Sequence, residues 1–363
     1  MPRRVTDGAS LDLENLILLA KPICQEAGVS CPRTGPGPKP TYSDSQIAVM
    51  IMCGVLKKKK SKSAQYRFVQ QHAEMIKRLL ALERIPARSS FFARYQPLWP
   101  VVQKAIELQG RAALREPVAE ARVVAADKSL MRARGPEWNQ KDRQRNRVPK
   151  YLHGLDREAT WGKSDYHGWT YGYSYEVVVE VVVEVVVTAT KDSVVLPLLA
   201  SVDVGSTNEH KSVVDKLDRL PPSTREVLID PGYDSNDLAD QVELDKHEKP
   251  IGRHYICPPQ KGYVWKIPER GRRERQRQRR VKRLAFLRRR RGRRLYARRK
   301  ETVEPFNGTF KAMFELDDHV WHRGLNNNRT EVLTAIFAYQ LLVRYHWKQG
   351  RRNAQVQYIL DGL

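Results

Sequence analysis

Cysteine is scarce in this chain of 363 residues, and so are long apolar runs and, over one stretch, acids. The four cysteines are Cys24, Cys31, Cys53 and Cys257. Cys24 and Cys31 are separated by six residues with no histidine nearby, which is not the spacing of a zinc ribbon or a disulfide framework. Free thiols in a reducing cytoplasm are expected. No apolar run approaches the roughly 20 residues of a membrane span, and none resembles a signal peptide. We therefore expect a cytoplasmic protein with no membrane partner. Asp and Glu total 41 against 65 Lys and Arg, giving a net charge of +24. Residues 270–300 hold 18 Lys or Arg and one acid, Glu274, so this stretch carries +17 and the remaining chain +7. An anionic lipid surface would suit a basic tract, but without an apolar anchor the natural partner is a nucleic acid, whose neutralised phosphates release counterions.

What is present is enough for a core. Hydrophobic residues make up 41%, and the low mean hydropathy of −0.59 reflects charge rather than disorder. The length suits about two domains. An amphipathic stretch runs from Leu11 to Ala27, and the linker Thr34–Pro40 is too rich in Pro and Gly for regular structure. Ser43 and Gln46 have capping-box spacing ahead of Ile47, Met50, Ile51 and Val55, which recur at helical intervals. A second helical pattern covers Ala64–Ala81. Ile85–Tyr95 reads as a turn and a short helix bearing Arg88 and Arg94, loosely like a helix-turn-helix DNA reader. A helical bundle that only packs on the second domain is the alternative for residues 1–120.

From about Ala121 the texture becomes strand-like, and residues 121–363 read as a mixed α/β domain with a basic insertion at about 240–300. Val123–Ala126 is a short apolar run. Gly168–Thr190 is β-branched and aromatic enough to be extended, although Glu176, Glu180 and Glu184 fall at intervals of four. Ser193–Gly205 returns as a strand, His210–Leu220 is an amphipathic helix, and Glu226–Asp230 the next strand. Arg329–Trp347 reads as a strong buried helix.

Three carboxylates stand out against this frame. Asp127 closes the run VVAAD, Asp230 follows EVLI and is halted by Pro231-Gly232, and Glu304 lies seven residues before Lys311, on one helical face. Pro305 places Glu304 at the expected start of that helix, just after the basic segment. Two divalent ions about 4 Å apart need carboxylates brought from separate parts of a rigid scaffold. In so basic a chain, the three together point to a metal-dependent nuclease-type site acting on DNA. Magnesium, which favours oxygen ligands, is the expected ion, with manganese as a substitute. Asp142, Asp156, Asp203, Asp234 and Asp237 are competing acids. Asp156 is read as shaping the site, and Asp234 and Asp237 as capping the following helix. His210 is read as a surface residue or a neighbour of the site.

Five ordered blocks carry a resemblance: Asp127-Lys128-Ser129, Gly154–Ser174, LIDPGYD at Leu228–Asp234, VEPFNGTFK at Val303–Lys311 and HRGLNNN at His322–Asn328. In these the chain resembles bacterial insertion-sequence transposases of the DDE superfamily, over most of residues 121–345. The resemblance implies a ribonuclease H-like catalytic domain behind the N-terminal helical region. It also implies a metal-binding triad of Asp127, Asp230 and Glu304, and a Lys311 that contacts DNA phosphate. The implied activity is metal-dependent cleavage at insertion-sequence ends followed by strand transfer of the 3′-hydroxyl into target double-stranded DNA, by a homodimer on DNA. One departure stands out. Counting back from Glu304, the family's Arg position is Lys300 and its Tyr position Ala297, while Tyr296 and Arg299 stand one place off. Either these two do the job through a one-residue shift of the backbone or the motif is degraded, and Lys300 and Arg299 are both expected to bind DNA. Lys in place of Arg would lose the bidentate phosphate grip. Arg288, Arg289, Arg290 and Arg291 are expected to track the DNA backbone, and Trp265 to pack in the insertion or stack on a base. A transposase-derived DNA-binding protein that no longer cuts is the alternative function. A basic RNA-associated protein would explain the arginines but not the aspartates.

Overall fold

The computed structural model describes residues 6–32, 40–116, 118–164, 168–181, 195–259, 272–351 and 356–363. Trp265, Glu184 and the linker 34–39 lie outside these residues. Six helices come first: α1 (Thr6–Ser30), α2 (Asp44–Leu56), α3 (Lys62–Gln71), α4 (Ala73–Leu80), α5 (Arg88–Tyr95) and α6 (Trp99–Arg115). Then follow β1 (Val123–Arg132), α7 (Gln140–Gln144), β2 (Thr160–Ser164), β3 (Gly168–Glu180), β4 (Pro197–Val204), α8 (Glu209–Leu217) and β5 (Glu226–Ile229). The chain ends with α9 (Asn236–Glu243), β6 (His254–Ile256), α10 (Arg272–Arg288), α11 (Arg290–Met313), α12 (Leu325–Lys348) and α13 (Gln357–Gly362).

The strands form one mixed sheet flanked by helices. β1 is central, antiparallel to β3 and parallel to β5, and β6 continues parallel beyond β5. β3 is long enough to serve two partners on its outer edge: β2 along Gly168–Gly172 and β4 along Tyr173–Val179. From Tyr171 to Glu180 every residue of β3 is buried, so both sheet faces are covered and the valine run is a strand because neither face meets water. Two glutamates on its back face are therefore satisfied internally. Glu176 pairs with Lys216 of α8 at 3.0 Å, and Glu180 accepts the Ala121 amide.

The capping box at Ser43 and Gln46 is formed. The helical pattern over 64–81 is interrupted at His72, which ends α3 and begins α4 with no side-chain cap. A larger difference lies at Pro305. A proline directly after Glu304 suits the first turn of a helix, but α11 begins at Arg290 and Pro305 lies inside it. The helix survives the missing N–H because Leu295, Arg299, Thr302, Val303, Phe306, Phe310 and Met313 form a continuous buried stripe. Phe306, Phe310 and Phe314 run along it at centroid separations of 5.6 and 5.4 Å, Phe306 meeting Tyr339 and Phe310 meeting Tyr175. Burying each of these rings is worth about 1.5–3 kcal/mol.

The N-terminal helices share their core with the rest of the chain, from Leu13 to Leu360. α12 joins the two parts. Its Gln340 amide donates to the carbonyls of Ile106 and Pro197, Arg344 pairs with Glu116, and Thr330 donates to the Tyr95 carbonyl. At the same junction Glu331 is buried and accepts from Gln65, His322 and the Tyr95 hydroxyl.

Candidate active site

Asp127 and Asp230 are placed by strand register. The parallel pairing of β1 and β5 ends at Ala126 and Ile229, so both aspartates stand one residue beyond the last pair. β5 stops there because Pro231 has no N–H to give, and the Asp230 carboxylate accepts the Gly232 amide of the tight turn. β1 instead continues to Arg132 along β3, so Asp127 is internal to its strand rather than at its end. The turn after Asp230 is pinned from behind: the Tyr233 hydroxyl donates to Glu176, and the Cys257 thiol to the Asp230 carbonyl.

The two carboxylates meet at one cation. Nη2 of Arg299, from α11, lies 2.6 Å from Oδ1 of Asp127 and 3.2 Å from Oδ2 of Asp230. The other Asp127 oxygen accepts from Asn307 Nδ2 at 2.9 Å, and Asn307 Oδ1 accepts the Tyr175 hydroxyl at 2.9 Å. Burial, with Asp230 and Glu209 adding repulsion, lifts the Asp127 carboxyl to about 6 against the opposing pull of Arg299 and Asn307. Burial opposes the charge on Arg299, but Asp127 and Asp230 outweigh it and hold the guanidinium charged.

Glu209 approaches from the first turn of α8. A methyl group on Gly232 would clash with its carboxylate while lying 3.7 Å from Oδ1 of Asp230. Burial raises the Glu209 carboxyl, and Asp230 raises it further, against the attraction of Lys128. Glu209 and Asn307 do not stand out in the sequence. An acid after the N-cap Asn208 reads as an ordinary helix start, and Asn307 would emerge only by continuing the helical stripe two turns on from Arg299.

The remaining expected site residues are dispersed. Glu304 is exposed on α11, and among the described residues no group of three or more His, Cys, Asp or Glu is close enough to hold a metal. Lys311 is buried and donates to the Leu130 carbonyl at 2.8 Å, so it faces β1 rather than solvent. Arg299 rather than Lys300 is the basic residue in the site, and Lys300 is exposed. Tyr296 lies beside it, its hydroxyl donating to the Ile229 carbonyl at 3.3 Å. Arg288, Arg289, Arg290 and Arg291 are exposed where α10 meets α11. Other arginines of α10 turn inward: Arg279 pairs with Asp240 and Arg280 with Asp234. Asp234 is thus an ion-pair partner, and Ser235 is the N-cap of α9. Arg88 is exposed and donates to Ser63, whereas Arg94 is buried against Asp44 and the Tyr42 carbonyl. His210 is half-buried and contacts Ser235 at 3.1 Å. Asp156 is buried and holds the HRGLNNN block in place, accepting from Tyr173 at 2.8 Å and from the Gly324 amide at 3.1 Å.

The donor set suits a hard divalent ion. Magnesium is commonly held by one or two carboxylates and completes its shell with water and substrate phosphate. Asp127 and Asp230 converge on a single positive nitrogen of Arg299, and they are the residues that could hold such an ion.

No curated protein matches the chain. A solved structure of a piggyBac transposase synaptic complex with hairpin DNA aligns with a TM-score of 0.42 at 11% identity, over 99% of this chain and 80% of that one. The family model for the transposase DDE domain matches residues 119–341, which span β1 to α12 and include both aspartates. The chain belongs to the transposase DDE domain family.

Proposed function

We propose that this protein cuts DNA at insertion-sequence ends in a metal-dependent reaction and transfers the freed 3′-hydroxyl to target DNA. The observation that carries this is the convergence of Asp127 and Asp230 on one cation at adjoining strand positions. The strand order, with β1 antiparallel to β3 and parallel to β5, supports a ribonuclease H-like reading of the domain. Asp127 and Asp230 would hold Mg²⁺ or Mn²⁺, with Glu304 of α11 as the third acid once DNA is bound. When bound, the ions would supply a polarised water or 3′-oxygen and stabilise the leaving oxygen. The chain's own part is positioning. The β1–β5 register fixes the two carboxylates, Asn307 orients Asp127, and Tyr233 and Cys257 hold the turn that carries Asp230. The exposed Arg288–Arg291 and Lys300 would take DNA phosphates, and Arg88 of α5 would serve an N-terminal DNA-binding region. A homodimer on DNA would hold two ends together, in the cytoplasm at the nucleoid.

A non-cutting DNA-binding descendant is the second reading, favoured by the exposure of Glu304 away from any three-acid cluster among the described residues. The two are separated by incubating wild type and Asp127→Asn with a linear duplex carrying an element end and Mg²⁺ or Mn²⁺. Nicking by wild type, lost in the variant with binding retained, supports the enzyme. End-specific binding without nicking in either metal supports the descendant.

A further inference from the structure

Arg299 is 5% exposed, and its Nη2 is shared between two carboxylates that come from different strands. Its Nε is buried without an acceptor among the described residues. A guanidinium offers five donors in a fixed fork, so this one is held by charge to both acids rather than by a complete set of hydrogen bonds to either. Carboxylates this near one another are tolerated when a cation lies between them. Here the chain supplies that cation.

We propose that Arg299 is the resting counter-ion of the Asp127–Asp230 pair, so that its contact with the pair and the binding of a divalent ion exclude each other. The proposal rests on the reading that the two aspartates bind the metal. An ion held by both carboxylates would compete with Nη2 for their oxygens, and two cations within a few ångströms of each other repel. The guanidinium must then leave, and a DNA phosphate is the anion it would meet, since the exposed Arg298 and Lys300 flank it on α11. Metal therefore binds the free protein more weakly than the two carboxylates alone would allow. By reciprocity, a phosphate that captures Arg299 tightens metal binding, and metal tightens binding of the phosphate.

The test is Mn²⁺ affinity of purified full-length protein without DNA, read from the free-Mn²⁺ electron paramagnetic resonance signal. Arg299→Ala is expected to bind Mn²⁺ about tenfold more tightly than wild type, within the usual range of coupling between sites. Arg299→Gln keeps most of the bulk without the charge, and gives the same result should alanine disturb folding. Arg298→Ala, which removes an exposed charge one residue away, leaves the affinity unchanged. Unchanged or weaker binding in both Arg299 variants overturns the proposal, because a scaffolding role predicts loss. Equal tightening in Arg298→Ala also overturns it, by reducing the effect to net charge. Asp127→Asn reports on the underlying reading separately. Loss of the Mn²⁺ site there upholds the metal pair whatever Arg299 does, and wild-type binding there removes the pair and the proposal together.

Discussion

Lys311 shows how a residue's burial changes what its substitution should do. Its ammonium donates to the Leu130 carbonyl inside the protein, and burial lowers its pKa. Lys311→Ala leaves that carbonyl without its donor, a cost of about 1–3 kcal/mol. A lower urea midpoint is the expected result, and an unchanged midpoint with weakened DNA binding would return Lys311 to the phosphate. Asp127 and Asp230 are legible in the sequence because each follows an apolar run, and Pro231-Gly232 marks where the second run must stop. Arg299 is harder to place. Counting from Glu304 puts the motif on Lys300, but the face of α11 that meets the sheet is decided by the stripe through Val303, Phe306 and Phe310. Packing of that stripe brings Arg299 and Asn307 to Asp127 and leaves Glu304 outside.

The basic helices divide into two populations that charge alone does not distinguish. Arg280 of α10 is paired with Asp234 of the DPGY turn, and both side chains are largely buried. Arg280→Ala takes a charged partner from a buried carboxylate and should cost about 0.5–3 kcal/mol. Faster hydrogen exchange in α10 would register it. Arg288→Ala, at an exposed position, should leave stability within about 0.5 kcal/mol of wild type. Neutralising Arg288 through Arg291 should instead weaken binding to every duplex alike. The log–log salt slope should flatten by about 0.9 for each DNA phosphate that these arginines no longer neutralise. An unchanged slope would mean that these side chains meet only solvent. Strands β3 to β5 can be read from β-branched runs and their turn residues. The start of α11 cannot, since an arginine run has no apolar period to mark a boundary, and Pro305 imitates a helix start.

At the scale of the molecule, the N-terminal helices and the sheet are joined by α12, whose side chains bond to both. Its sequence announces a buried helix but not its neighbours, because a helix buried all round has no single face to mark a partner. With so much core in common, the protein should unfold in one calorimetric transition, the van't Hoff and calorimetric enthalpies agreeing. Two separated transitions would show the helical region folding by itself. That continuity also fixes the site, since β1, β5 and α11 are held in one frame around Asp127, Asp230 and Arg299. The most direct test of the shared cation site is a crystal of the full chain soaked in Mn²⁺, with diffraction recorded at the manganese absorption edge. An anomalous peak bridging the carboxylates of Asp127 and Asp230, with the Arg299 guanidinium withdrawn from both, is the predicted result. Saturating Mn²⁺ that gives no peak between them, with Arg299 still bonded to the pair, would contradict a shared cation site.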